Sequence, residues 1–350
     1  MQAHAKLIAA ATAVPVHVIR QQDIARAVED AFPGVFEAEP KLRLVYRSAG
    51  IAKRHTIRPI DWYLEPRSWS EATAAYLQEA TALFMQAAGR ALSAAGMAAQ
   101  DIDTIVTISS TGTATPSLEA RAAAEMGFRA DVQRVPVFGL GCAGGVSGFA
   151  IAARLAKASP GSSVLLVAVE TCSLAFRLED ASKTNVVATA LFGDGAAACI
   201  LRVDPDGLAE VEMAGEHMWP GSLDIMGWDV RPEGLGVIFA QEIPGFATRH
   251  MAEAMTGILH RGGLVPGDVD RFLCHPGGAK VITALETALS LNQGTLDIER
   301  EILSEYGNMS APTVLFVLER ALRAGLPARS ALTAMGPGFT ASCAVLRRAA

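Results

Sequence analysis

The 350-residue sequence lacks the cysteine spacing of a zinc site and the cysteine pattern of a disulfide-rich protein. Its five cysteines are Cys142, Cys172, Cys199, Cys274 and Cys343. They include no Cys-x-x-Cys pair, so the usual zinc spacings are absent. An odd number of cysteines in a chain of this length argues against a disulfide framework. We therefore expect reduced thiols, no metal ion and a cytoplasmic protein.

Strong basic character, low-complexity tracts and long charge blocks are also missing. The net charge is −6 and the pI is near 5.7, which is unfavourable for a nucleic-acid binder. Residues 135–153 carry no charge over about the length of a transmembrane helix, but Pro136 and five glycines interrupt them. We expect a buried strand, a turn and a buried helix there, and no membrane span.

Strand and helix patterns alternate along the chain, which predicts α/β sheets with helices on both faces. The predicted strands lie at 1–14, 102–108, 135–140, 163–169, 196–201, 269–274, 330–335 and 341–347. The predicted helices lie at 68–95, 118–126, 144–158, 246–261, 280–289 and 310–324. Each half places a Gly-rich turn beside a reactive side chain, Cys142 in the first and His275 in the second. We infer an internal duplication, with halves 1–207 and 208–350.

Cys142 lies in a Gly-rich turn, Phe-Gly-Leu-Gly-Cys-Ala-Gly-Gly-Val-Ser-Gly over 138–148. Glycines let the backbone turn sharply, and the turn lifts the thiol to the start of a helix, whose dipole favours the thiolate. Backbone N–H groups in such a turn can receive an oxyanion. The alternative is a small buried cysteine beside packing glycines, but the turn has the geometry that an activated nucleophile needs.

Two further polar residues occur at the ends of predicted elements. His275 follows the strand 269–274 and precedes Pro-Gly-Gly, a position from which it can reach a site above the sheet. Asn308 lies in Glu-Tyr-Gly-Asn-Met-Ser over 305–310, just before an apolar helix. Taken singly, a lone histidine is more often structural, and such an asparagine is more often an N-cap or turn residue.

As a set, these segments resemble the type III polyketide synthases of the chalcone-synthase family, which use a Cys-His-Asn triad. The matching segments are Gly-Cys-Ala-Gly-Gly at 141–145, Leu-Phe-Gly-Asp-Gly-Ala at 191–196, His-Pro-Gly-Gly at 275–278, Gly-Asn-Met-Ser at 307–310 and the loop Gly336-Pro337-Gly338. The resemblance runs over most of the chain. It implies a thiolase-like fold with a duplicated five-layer αβαβα architecture, and a homodimer.

The resemblance implies a mechanism in which Cys142 takes a starter acyl group from coenzyme A while His275 keeps the thiolate ionised. His275 and Asn308 then hydrogen-bond the thioester oxygen of malonyl-CoA as it decarboxylates, which requires donors on the developing oxyanion. The enolate attacks the acyl group on Cys142, whose thiolate is both a good nucleophile and a good leaving group. Cyclisation ends the cycle. The substrates are coenzyme A thioesters, and no separate cofactor is implied.

Five further positions match the walls of the family's cavity. Phe192 matches an aromatic gatekeeper, and Glu170 and Ser310 match cavity-lining positions. Val237 stands in place of a second gatekeeping aromatic, which should widen the passage, and Trp228 stands where plant enzymes have a glycine. The string Met-Gly-Trp-Asp-Val at 226–230 looks like bacterial relatives that make alkylresorcinols and alkylpyrones. We therefore expect a medium or long fatty acyl-CoA starter.

A basic run stands out in this acidic chain: Lys41, Arg43, Arg47, Lys53 and Arg54. Such a run is typical of a solvated helix face. The family uses basic residues in this region for coenzyme A phosphates, and Lys41 aligns best with them.

Three other hypotheses stay open at this point. The ketoacyl-carrier-protein synthase that starts fatty-acid synthesis has the same fold and triad but performs a single condensation. The spacing of 33 residues between His275 and Asn308, together with Phe192 and the 336–338 loop, favours the polyketide synthase. A Cys-His hydrolase would cleave thioesters without forming a carbon–carbon bond. A catalytically silent subunit is hard to reconcile with an intact triad.

Overall fold

The computed structural model describes residues 4–349, which form one large mixed sheet with helices on both faces and two small two-stranded sheets. The strands are β1 Lys6–Ala13, β2 His17–Arg20, β3 Lys53–Thr56, β4 Thr104–Ile108, β5 Gln133–Val137, β6 Ser163–Thr171, β7 Asp194–Arg202, β8 Ala209–Met218, β9 Met226–Arg231, β10 Gly234–Phe239, β11 Arg271–Cys274, β12 Arg329–Gly336 and β13 Thr340–Arg348. The helices are α1 Gln21–Ala31, α2 Pro33–Ala38, α3 Leu42–Ser48, α4 Ile60–Tyr63, α5 Trp69–Ala95, α6 Leu118–Met126, α7 Gly144–Ala158, α8 Lys183–Leu191, α9 Ile243–Arg261, α10 Ala279–Ala288, α11 Asp297–Tyr306 and α12 Ala311–Ala324.

The large sheet has two parts that meet at one short pairing. Its strand order is β11-β12-β13-β8-β1-β7-β6-β4-β5. Among the described residues, β1 and β8 pair only through Lys6 with Glu210 and Leu7 with Ala209. The strands of the two halves are therefore joined at one short edge. The division into halves at residue 207 stays a prediction.

Helices α7 and α12 form the central layer of the molecule. They pack against each other and against strands from both halves of the sheet, and their apolar faces belong to one buried cluster that includes Val146, Phe149 and Leu315. Helix α5 covers the outer face of the first half, and α9 and α10 cover that of the second. The predicted α/β architecture of five layers is therefore confirmed.

Local sequence signals set the ends of several helices. The Ser68 side chain caps α5 by accepting from the Glu71 N–H at 3.2 Å, and the Ser68 N–H donates to the Glu71 carboxylate at 2.9 Å. Gly96 ends this helix in the left-handed conformation, which glycine adopts at little cost. The helices predicted at 118–126 and 144–158 have the predicted bounds.

Other elements differ from the sequence predictions. The first strand begins at Lys6, and residues 1–3 of its predicted range lie outside the described residues. The predicted elements do not include α1 to α3, β8, α11 or the ribbon formed by β9 and β10. Helices α1 and α11 have an amphipathic pattern that the predictions overlooked, whereas the other elements are short or have mixed apolar patterns, and packing against the rest of the chain decides their structure.

The uncharged segment 135–153 folds as a strand, a turn and a helix. Strand β5 ends at Val137, three residues earlier than predicted, because the next residues form the turn that carries Cys142. Among residues 4–349, no helix has the length and hydropathy needed to cross a membrane.

Candidate active site

The turn that carries Cys142 is seated against the loop 336–338. Gly141 has φ +47°, and a side chain on it would come within 2.6 Å of the Pro337 ring. A side chain on Gly336 would come within 2.6 Å of the Ala143 methyl group. Both glycines are therefore required for the two loops to approach each other. Cys142 then lies in a single turn of 3₁₀ helix at the start of α7 and is buried.

His275 follows the last residue of β11 and is held there by its backbone. Its N–H donates to Thr333 O at 2.8 Å, and its carbonyl accepts from the Gly277 N–H at 3.1 Å. Neither nitrogen of its ring has a hydrogen-bond partner among the described residues, although both are buried. Burial lowers the pKa of His275 to about 4, because a charged ring is poorly solvated there.

Asn308 lies in the connection between α11 and α12, with both its backbone and its amide fixed. Its N–H donates to Leu191 O at 2.8 Å. Its side-chain Nδ2 donates to Gly277 O at 3.2 Å, and Oδ1 accepts from the Ser310 N–H at 2.8 Å. The bond to Gly277 ties Asn308 directly to the loop that begins at His275.

The structure brings the three predicted triad residues together. Cys142, His275 and Asn308 line one space of about 390 Å³, here called the triad cavity. Its remaining wall is mostly apolar and includes Met226, Phe239, Ile243 and Met251.

Cys142 also borders a second space of about 470 Å³, here called the hairpin cavity because β9 and β10 form one wall. The predicted residues Phe192, Trp228, Val237, Ser310 and Pro337 line it. Met226 and Phe239 line both spaces, so the reactive sulfur lies where the two cavities adjoin.

Three predicted site residues have other places in the structure. Glu170 is fully buried behind the wall of the hairpin cavity, where it accepts bonds from the N–H groups of Ser110 and Thr111 at 2.9 and 3.0 Å. Gly336 and Gly338 shape the loop around Pro337 but are not among the residues that line the two cavities. Burial raises the pKa of Glu170 to about 7, and the bonds from Ser110 and Thr111 oppose that shift.

The basic run does not form one surface. Lys41 is exposed at the start of α3, whereas Arg54 is almost fully buried. The Arg54 guanidinium donates to the carbonyl oxygens of Thr189, Ala190 and Phe192, at the end of α8. The interpretation of Arg54 as part of a solvated or phosphate-binding run was therefore wrong, because β3 turns this side chain inward.

Sequence reasoning missed a third space, of about 530 Å³, which is almost wholly apolar. Ile19, Ile24, Val28, Ile60, Leu64 and Phe176 provide much of its wall. Cys172 and Phe192 border both this apolar cavity and the hairpin cavity. The only sequence signal was the apolar face of α1, whose relation to Cys142 depends on the tertiary fold.

Burial alone would keep the Cys142 thiol protonated. It raises the pKa of Cys142 to about 11, while hydrogen bonding from Ser310 and Asn308 acts in the opposite direction. Since burial also lowers the pKa of His275, an ion pair forms at neutral pH only if the thiolate and the imidazolium stabilise each other.

Comparisons with known proteins agree along almost the whole chain. Residues 1–205 match the family model described as chalcone and stilbene synthases, N-terminal domain, and residues 210–349 match the corresponding C-terminal domain. The chain is 40% identical over 346 residues to the 1,3,6,8-tetrahydroxynaphthalene synthase of Streptomyces peucetius subsp. caesius, covering 96% of this chain and 91% of that protein. It is 34% identical over 350 residues to a putative chalcone synthase of Bacillus subtilis strain 168, covering 95% and 96%.

Solved structures show the same similarity. The crystal structure of 1,3,6,8-tetrahydroxynaphthalene synthase from Streptomyces coelicolor A3(2), a bacterial type III polyketide synthase, superposes with a TM-score of 0.93. The sequence identity is 29%, and 99% of each chain is covered.

Proposed function

The chain belongs to the chalcone and stilbene synthase family and is a type III polyketide synthase, and we propose that it condenses malonyl-CoA units onto an acyl group held by Cys142. The observation that carries this proposal is the convergence of three buried residues, Cys142, His275 and Asn308, on one cavity. The family assignment favours repeated condensation over the single condensation of a ketoacyl-carrier-protein synthase.

Cys142 is the proposed nucleophile and His275 its proton acceptor. Proton transfer from Cys142 Sγ to the ring gives a thiolate, which attacks the thioester carbon of the starter and releases coenzyme A. The unpartnered ring nitrogens of His275 support this role, because one of them is free to receive the proton.

His275 and Asn308 are the proposed oxyanion donors. As malonyl-CoA loses CO₂, the electron pair of the broken bond delocalises onto the thioester oxygen, where hydrogen bonds stabilise it most. The enolate carbon then attacks the acyl carbon on Cys142, which forms the carbon–carbon bond and releases the thiolate. The bond from the Ser310 N–H to Asn308 Oδ1 supports this assignment, because it fixes which end of the amide is the donor.

The proposed starter is a medium or long fatty acyl-CoA, and the proposed product is an alkylpyrone or alkylresorcinol. The apolar cavity supports this substrate class, because burying an alkyl chain there would gain roughly 0.8 kcal/mol per methylene group. The chain would reach it from Cys142 through the hairpin cavity, past Cys172 and Phe192, which border both spaces.

A second candidate product is a hydroxylated naphthalene. Two of the similar proteins are named 1,3,6,8-tetrahydroxynaphthalene synthase. Such a product carries no alkyl chain, so this candidate requires a small starter and leaves the apolar cavity without a function in catalysis.

The remaining proposals concern substrate delivery and assembly. Coenzyme A thioesters are the proposed substrates, with the exposed Lys41 among the residues that contact their phosphates. We propose a homodimer by analogy with the family, with no separate cofactor and a cytoplasmic location.

The test is a product assay by mass spectrometry with labelled malonyl-CoA and starters of several lengths. A pyrone or resorcinol that retains the fatty chain and carries several labelled two-carbon units would support the full proposal. A naphthalene formed from malonyl-CoA alone would replace the proposed starter while preserving the polyketide synthase assignment. Hydrolysis without any condensation would contradict the proposed reaction.

A further inference from the structure

Strand β11, which ends one residue before His275, is an edge strand of the large sheet. Within residues 4–349 it pairs with β12 alone. Since alternate N–H groups of a strand point to opposite sides, every second N–H of β11 faces away from β12. At Cys274 that outward N–H does not go unpaired: it donates to Glu299 Oε1 of α11 at 2.8 Å.

The end of β11 is therefore held from both sides. On the inner side, the His275 N–H donates to Thr333 O of β12 at 2.8 Å. On the outer side, Glu299 holds the preceding residue. Loss of either bond would leave this strand end, on which the position of the imidazole depends, held from one side only.

The imidazole itself has little else to orient it. Its two nitrogens make no hydrogen bond with any described residue. In many sites a second side chain bonds one nitrogen of a catalytic histidine and so fixes the ring. Here the position of the His275 ring follows from packing and from the backbone bonds on either side of it.

A glutamate at position 299 lowers the stability of the fold unless its contacts offset the cost of burying it. Its side chain is fully buried, and its Oε2 has no hydrogen-bond partner among the described residues, with Arg271 Nη2 at 3.8 Å. Arg271 is instead bonded to Asp297 at 2.6 Å. A buried carboxyl with one unsatisfied oxygen destabilises the fold unless its other contacts compensate.

Burial raises the pKa of Glu299 to about 7, and the bond from Cys274 opposes the shift. Both the neutral and the ionised carboxyl retain an oxygen that can accept from the Cys274 N–H. The bond to the Cys274 N–H thus depends on an acceptor atom at this position and not on a negative charge.

We propose that Glu299 is a positioning residue, which fixes His275 for decarboxylation by holding the Cys274 N–H at the end of the edge strand. This inference rests on the proposed role of His275. A misplacement of about 1 Å can cost on the order of 100-fold in rate, so loss of this bond should be visible in catalysis as well as in stability.

Three variants distinguish the contribution of the hydrogen-bond acceptor from that of the charge and from that of side-chain packing. Glu299→Met removes the acceptor and keeps the side chain's length. Glu299→Asp keeps the charge but withdraws the carboxylate by one methylene group. Glu299→Gln keeps an amide oxygen at the same reach. The assay is malonyl-CoA decarboxylation, with kcat and KM measured separately on variants whose folding is verified by thermal unfolding.

We expect Glu299→Met and Glu299→Asp to lower kcat by about 10- to 100-fold with KM nearly unchanged, and Glu299→Gln to restore kcat to within about threefold. The matched control is Glu286→Gln. Glu286 is a second buried glutamate nearby, but it bonds Arg300 and the N–H groups of Gly294 and Leu296, and not β11. Its substitution should lower stability without lowering kcat.

The inference is wrong if folded Glu299→Asp or Glu299→Met retains the wild-type kcat, or if Glu299→Gln loses as much activity as they do. Should Glu299→Met fail to fold, Glu299→Asp against Glu299→Gln still decides the question. A parallel His275→Gln variant distinguishes this failure from failure of the proposed function. If His275→Gln itself decarboxylates at the wild-type rate, the role of His275 is wrong and not only that of Glu299.

Discussion

Trp228 and Val237 lie directly opposite each other on the β9–β10 ribbon, and both border the hairpin cavity. The indole of Trp228 is fixed by a 2.7 Å bond from its Nε1 to Ser110 O. Opposed residues on one face of a ribbon are in side-chain contact distance. A small residue at 237 therefore leaves open space beside a large, immobile one.

Enlarging residue 237 should reduce that space. We expect Val237→Phe to lower kcat/KM for fatty acyl-CoA starters by about 10-fold or more, because overfilling an apolar passage excludes the chain. Malonyl-CoA decarboxylation should change little, since the triad cavity does not include Val237. Steady-state kinetics with starters of increasing length provide the measurement. An equal loss at every length would contradict a gating role.

Substitutions of Cys172 test whether the alkyl chain passes from the hairpin cavity into the apolar cavity. Cys172 borders both spaces and is buried. We expect Cys172→Phe to abolish turnover of long starters while short starters are still extended, and the smaller change Cys172→Ala to preserve both. Products would be compared by mass spectrometry. Long-chain products from a folded Cys172→Phe enzyme would show that the alkyl chain does not follow this path.

The sequence alone predicted the triad residues and several residues that line the hairpin cavity, but not the apolar cavity. Cys142, His275 and Asn308 are recognisable because each lies in a short motif whose glycines allow the backbone to turn. Their convergence on one cavity agrees with that prediction. The roles of these residues stay proposals, as do those of Phe192, Trp228 and Val237.

What the sequence did not reveal depends on contacts between distant segments. Arg54 looked like one of several surface cations, yet three carbonyl groups more than 130 residues away surround its guanidinium. Glu299 belongs to no motif, and its bond to Cys274 exists only because α11 packs beside an edge strand. The apolar cavity likewise joins α1 to residues near Cys142 only in the folded chain.

The ionisation of Cys142 should depend on His275. Burial raises the pKa of Cys142 to about 11, and an adjacent imidazolium would lower it. We expect the pH midpoint for alkylation of Cys142 by iodoacetamide to rise by about one unit or more in His275→Gln. Alkylation would be followed by mass spectrometry from pH 5 to pH 11. Identical midpoints in the two proteins would show that no ion pair exists.

Glu170 should make stability depend on pH. Burial raises its pKa to about 7, so the native state binds this proton more tightly than the unfolded chain does. Its stabilising contribution is complete below its unfolded pKa and is lost as pH rises through about 7.

We therefore expect the wild-type free energy of unfolding to decrease between pH 5 and pH 8 by about 2–3 kcal/mol more than that of Glu170→Gln. Urea unfolding at several pH values measures both proteins. Glu170→Gln should be less stable at pH 5, because an amide group cannot accept all the bonds that the carboxyl accepts. Parallel curves for the two proteins would contradict the assigned pKa.

The central claim is that decarboxylation depends on His275 and Asn308 and not on Cys142, whereas acyl transfer requires Cys142. The most direct test is release of labelled CO₂ from malonyl-CoA by Cys142→Ala, compared with His275→Gln. We predict that Cys142→Ala forms no extended product yet still releases CO₂, because His275 and Asn308 remain in place, and that His275→Gln releases little. Complete loss of CO₂ release in folded Cys142→Ala, or full release by His275→Gln, would contradict the account.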